Sequence, residues 1–251
     1  MIPRPLSKLG LWLFVLAIIW YVVGNSLLAD LKKAQLAQAK DKQIIEQKFD
    51  VGSSGRVVIR KQDADLNFDG ISLILDPDAS QATIHNEHVR IPIAGKVEDA
   101  AFVITVGRGN LPVSYSSEKI EIRLPASISQ IEISGVGSVD LTGRLPVSAS
   151  TLSLGIATCD ARFELQDVAV KQLKLVSSCQ AVQKNCCTSG FELGDKVQVG
   201  RLDVAMQYGE LNISGDVVPQ ETLLNVGDEV HITGKRAFFQ SARFSHYLLK
   251  N

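Results

Sequence analysis

A recurring spacing constrains this chain more than any other feature. Ile131-x-Ile133, Leu152-x-Leu154 and Leu173-x-Leu175 begin 21 residues apart, Leu202-x-Val204 follows 29 residues later, and Leu223 or Leu224 lies about 21 beyond that. A second apolar pair recurs as Val139-x-Leu141, Ala161-x-Phe163, Leu211-x-Ile213 and Val230-x-Ile232, and a third as Val168-x-Val170 and Val197-x-Val199. The string Phe163-Glu-Leu-Gln-Asp167 returns as Phe191-Glu-Leu-Gly-Asp195. Apolar residues two apart mark a strand with one face turned to a core. Three such short strands cannot bury that face within one unit, so successive units must stack. The spacing predicts an all-β fold, a β-helix or solenoid with coils of about 21 residues. An antiparallel sandwich of hairpins is the alternative, and it supplies no reason for the period.

The strand pattern begins earlier than the repeat. Arg56–Arg60, Ile71–Leu75, Ala82–Ile84, Val89–Ile91, Phe102–Val106 and Ile120–Leu124 are short apolar runs separated by turn residues such as Asp69-Gly70 and Asp76-Pro77. The β domain is therefore expected over 49–234. With 26 basic residues against 27 acidic ones there is no basic face to release counterions, so a nucleic-acid partner is not expected.

Ahead of the domain, Leu9–Ala29 carries no charge and is bracketed by Lys8 and Asp30. As a helix it would span about 30 Å, the thickness of a bilayer's hydrocarbon core. It is read as a transmembrane helix over 9–29 behind a cytoplasmic stretch of 1–8, with a cleaved signal peptide as the alternative. Residues 30–48, rich in Ala, Lys, Gln and Leu, predict a helical stalk. Orientation is in conflict. Arg4 and Lys8 favour a cytoplasmic N-terminus, whereas Lys32, Lys33, Lys40 and Lys42 pull the other way. The character of the domain and its cysteines favour the periplasm, giving a single-pass protein of a bacterial inner membrane.

Ile120-Glu-Ile-Arg-Leu-Pro125, followed by Ile131-Glu-Ile-Ser-Gly-Val-Gly-Ser-Val-Asp-Leu-Thr-Gly143, resembles the bacterial GIN-domain family, described as the adhesin heads of auto-transporters. The resemblance covers about residues 50–235. It implies a β-helical domain outside the cytoplasm, often membrane-tethered, with no catalytic residues to carry over. The four cysteines, the N-terminal anchor and the stalk depart from that pattern.

Aligning the two Phe-Glu-Leu strings sets Cys159 and Cys187 each four residues before its Phe. On adjacent coils their Cα atoms would lie about 5 Å apart, within disulfide range. The longer unit carries an insertion bracketed by Cys179 and Cys186. Cys159–Cys187 with Cys179–Cys186 is the expected pairing, and a vicinal Cys186–Cys187 bond competes with it. The spacing is a poor match to a zinc site. His85, His88, His231 and His246 offer no arrangement that would poise a catalytic cysteine.

Outward-facing rows are expected to hold Asp140, Arg162, Asn212 and His231 in one place, and Glu132, Ser153, Lys174 and Asp203 in another. Their mixed charges suit a solvated face, with no recurring pair of glycosidase-like carboxylates. The tail 235–251 concentrates Phe238, Phe239, Arg243, Phe244 and Tyr247, and is read as a cap over the last coil or as a docking segment. The function expected is a non-catalytic, adhesin-like scaffold or binding module without cofactor or metal, its partners the bilayer, other envelope proteins and a glycan. A regulatory, ligand-sensing subunit is the second reading, and a β-helical polysaccharide enzyme the third.

Overall fold

In a computed structural model, the residues described are 20–21, 45–62, 70–86, 92–107, 120–135, 138–144, 150–158, 161–178 and 189–246. The chain divides into two compact units, Met1–Gln43 and Ile44–Asn251. Of the first, only Trp20 and Tyr21 are described, both helical and exposed.

Among the described residues, the strands of the second unit form one 15-stranded sheet. Its strands are β1 (Ile45–Phe49), β2 (Arg56–Lys61), β3 (Ile71–Asp76), β4 (Ala82–Asn86), β5 (Ile93–Glu98), β6 (Ala101–Val106), β7 (Ile120–Pro125), β8 (Gln130–Ser134), β9 (Ser138–Arg144), β10 (Thr151–Ile156), β11 (Arg162–Ser177), β12 (Gly190–Leu193), β13 (Gln198–Ile213), β14 (Glu221–Thr233) and β15 (Ala242–His246). Between β14 and β15 lies one short helix, α1 (Arg236–Ser241).

The long strands bend the sheet. In β11 the alternation of buried and exposed residues breaks at Gln166–Asp167 and again at Lys171–Gln172. Its first part pairs with β9 and β12, and its last part with β10 and β13. Asp167 turns the first corner with φ 52, a left-handed conformation that Asp tolerates better than most residues. The resulting sheet is nearly closed and barrel-like.

Pairing partners on parallel strands point the same way, so inward residues form continuous rows. One runs Ile131, Leu154, Leu175, Val204 and Leu224. Another runs Val139, Phe163, Phe191, Leu211 and Ile232. From Ile131 through Leu224, and from Val139 through Leu211, these side chains are almost wholly buried. Each buried aliphatic or aromatic side chain contributes about 1.5–3 kcal/mol.

The fold expectation needs correction. A stack of equal coils behind a transmembrane helix and a helical stalk is not what the described residues form. β2 pairs with β6 and β8, and β3 with β7 and β9, so neighbours in this half are distant in sequence. β4 lies antiparallel between β1 and β7, and β5 and β6 form an antiparallel hairpin. Ile45–Lys48, assigned above to the helical stalk, belong to β1. Their helix-forming residues are overridden by pairing with β4 and by packing of Phe49 on Phe102, with ring centroids 5.8 Å apart.

Among the described residues no helix is long and apolar enough to cross a membrane. The single-pass inner-membrane placement is corrected accordingly. The rest of the expected span 9–29, and the stalk over 30–44, lie outside the described residues.

Registers are corrected as well. Ile131 pairs with Leu154 rather than Leu152, and Val139 with Phe163 rather than Ala161. The pairs Leu152 with Leu173, Leu173 with Leu202, and Phe163 with Phe191 fall where the sequence alignment puts them.

Candidate binding site

The starts of β10, β11's last part, β13 and β14 lie side by side and open a cleft of about 440 Å³. Ser150, Thr151, Lys171, Gln172, Gly200, Arg201, Gln220 and Glu221 line it. Thr151, Gln172, Arg201 and Glu221 are successive pairing partners. The cleft therefore crosses three strand spacings, about 14 Å at ~4.8 Å each.

In the preceding row stand Ser150, Lys171, Gly200 and Gln220. Gly200 places no side chain between those of Lys171 and Gln220, and its strand runs close to the neighbouring backbone. A Cβ there would sit 2.8 Å from the Lys171 carbonyl oxygen, which is closer than real contacts allow. The backbone is tied across the same row. Gln172 N–H donates to the Ser150 carbonyl at 3.1 Å, and Gln220 N–H to that of Gly200 at 2.9 Å. Lys171 N–H donates to Ser150 Oγ at 3.3 Å.

A polar network forms the floor. Thr151 Oγ1 donates to Gln172 Oε1 at 3.3 Å, and Gln172 Nε2 donates to Asp203 Oδ2 at 2.6 Å. Arg201 Nε donates to Asp203 Oδ1 at 2.9 Å, and its Nη1 to Glu221 Oε2 at 3.2 Å. The hydrogen bond to Asp203, then its charge and that of Glu221, hold the guanidinium protonated beyond its ordinary range. Isolated surface ion pairs contribute at most about 1 kcal/mol, so the network acts mainly by fixing rotamers along the cleft.

Elsewhere on the outer face, Asp140, Glu164 and Glu192 occupy one row on adjacent strands. Burial, followed by the charges of Asp140 and Glu192, raises the Glu164 pKa, with Arg162 opposing. Arg162 Nη2 reaches Glu210 at 2.8 Å. This row differs from the expected one: Asp140 stands beside Glu164 rather than Arg162, and the row continues to Asn212 and Thr233. Ser153, Lys174 and Asp203 do share a row, while Glu132 stands beside Gly155.

The residues singled out in the tail divide between core and surface. Phe238 is fully buried and meets Phe239 edge-on, ring centroids 5.4 Å apart. Both rings lie close to Gly234. Phe239, Arg243 and Phe244 keep exposed surface, Phe244 being 58% exposed on the outermost strand β15. Tyr247 lies outside the described residues, as do Cys159, Cys179, Cys186, Cys187 and His88. Among the described residues no group of three His, Cys, Asp or Glu side chains could hold a metal ion.

None of the cleft residues was singled out from sequence. The signal was nonetheless present: Ser150, Lys171 and Gly200 each stand two residues before the repeated Leu152, Leu173 and Leu202. A glycine among polar residues in one aligned row marks a close approach of neighbouring backbones.

Several solved structures are similar. A "putative adhesin" of Parabacteroides distasonis has a TM-score of 0.47 at 15% identity, over 76% of this chain and 74% of that one. One of Bacteroides fragilis gives 0.46 at 12%, over 82% and 95%. One of Parabacteroides merdae gives 0.43 at 10%, over 76% and 81%. No family model and no curated protein matches the chain. The similarity to the GIN-domain family therefore stands on its motif, and the functional reading on the cleft.

Proposed function

We propose that the chain is a non-catalytic, adhesin-like binding module that holds an extended polar ligand, a glycan chain, along the cleft at the strand starts. The observation that carries this reading is the side-by-side placement of Thr151, Gln172, Arg201 and Glu221 on four neighbouring strands. Hydroxyl, amide, guanidinium and carboxylate groups at ~4.8 Å intervals offer donors and acceptors in sequence to a linear ligand rich in hydroxyls. The length suits a short oligosaccharide. A rigid sheet presents these groups with little ordering cost on binding.

The pairing of the cleft's carboxylates with Arg201 supports the binding reading. Asp203 and Glu221 both accept hydrogen bonds from Arg201, so their oxygens are engaged in holding the cleft's side chains in place. One observation favours a second, hydrolytic reading. Glu164 has a raised pKa and sits between Asp140 and Glu192, the setting that acid catalysts use. Both readings meet in one experiment, a panel of oligosaccharides incubated with the full chain and followed for both retention and cleavage. Retention without cleavage is expected. Cleavage that disappears in Glu164→Gln would replace the binding module with an enzyme.

A further inference from the structure

We infer that the cleft selects a glycan carrying carboxylate groups over a neutral one. This rests on the reading above and adds the ligand's charge to it. The reason lies in which polar atoms are already engaged. Asp203 accepts from Gln172 and Arg201, Glu221 accepts from Arg201, Gln172 Oε1 accepts from Thr151, and Ser150 Oγ accepts from the Lys171 backbone. The acidic groups beside the cleft are thus paired. Two cationic donors have no partner among the described residues: the Lys171 ammonium and Nη2 of Arg201. They lie on either side of Gly200 in the cleft, with Gln220 on the strand beyond.

An acceptor-rich, negatively charged group lying in the cleft over Gly200 would meet both donors. Charge-assisted hydrogen bonds are roughly twice as strong as neutral ones. A hydroxyl in the same place would gain less. The whole chain has a net charge of −1, so attraction of an acidic polymer has to be local.

The test titrates the full chain with an oligogalacturonate and with the matching neutral galactose oligomer, at low and high salt. Binding of the acidic oligomer is expected to be about tenfold tighter, the effect of one charge-assisted contact, with the gap shrinking as salt rises. Lys171 is exposed, so Lys171→Gln should fold normally and abolish the gap by weakening the acidic oligomer. Lys48→Gln on β1 should leave both affinities as they are. Equal affinity for the two oligomers would overturn the charge selection while leaving a glycan cleft in place. Binding of neither would remove both readings. An equal loss in Lys48→Gln and Lys171→Gln would assign the effect to overall charge and overturn the inference.

Discussion

Phe163 and Phe191 stack ring on ring across neighbouring strands, centroids 5.9 Å apart and planes within 3° of parallel. Both are at most 1% exposed. The pair sits where two identical Phe-Glu-Leu strings meet in register, so the repeat in the sequence becomes a contact in the core. Truncation of either ring to alanine should cost about 3–5 kcal/mol in urea unfolding, the usual range for a buried Phe. The double variant should show a coupling of about 0.5–1.5 kcal/mol beyond additivity. Strict additivity would mean that the rings do not touch.

The β5–β6 hairpin turns through two residues, Asp99 at φ 47 and Ala100 at φ 63. Right-twisted hairpins favour such turns, but glycine is the residue that normally occupies the second position. Ala100→Gly should therefore stabilise the chain by about 0.5–1 kcal/mol, the relief of a left-handed alanine less the added freedom of the unfolded state. A lower melting temperature in this variant would contradict the turn geometry.

Glu164 gives a pH prediction. Its pKa is raised in the folded chain, first by burial and then by Asp140 and Glu192. Between the ordinary carboxylate value and the raised one, the folded state keeps a proton that the unfolded state has lost. Stability contributed by this group therefore falls as pH rises through that window, and the deficit is complete above it. Glu164→Gln should flatten this slope and add about 0.2–1 kcal/mol at neutral pH by removing like charges on adjacent strands. Denaturant titrations at several pH values would show it, and an unchanged slope would rule it out.

The cysteines give a chemical prediction, drawn from the alignment of the Phe-Glu-Leu strings. In chain made under oxidising conditions, non-reducing peptide mapping should recover Cys159 linked to Cys187 and Cys179 linked to Cys186. The first link would constrain the unfolded chain by about 3–4 kcal/mol. A peptide carrying a Cys186–Cys187 bond would refute the pairing.

How much of this was legible depends on what a period-two pattern can resolve. A slip of one residue would turn every apolar side chain outward, so the sequence settles which residues face the core. A slip of two leaves every face unchanged. That is why Ile131 aligns equally well with Leu152 and with its true partner Leu154. The matched Phe-Glu-Leu strings broke this degeneracy for Phe163 and Phe191. The earlier strands had no such help: β2 pairs with β6 and β8, and β4 enters antiparallel, with no period to announce it. Ile45–Phe49 reads as helix by propensity and becomes strand by pairing. The cleft required seeing that a glycine, Gly200, falls in a row of long polar residues, a pattern visible only once the 21- and 29-residue spacings are superposed.

The most direct test of the account is calorimetric titration of the full chain with polar oligosaccharides, repeated with Gln172→Ala and Arg201→Ala. The account predicts saturable binding, recovery of the oligosaccharide intact, and a loss of about tenfold or more in each variant, the scale of one charged or well-aligned hydrogen bond. Binding of equal strength in both variants would place the site away from this cleft and contradict the account.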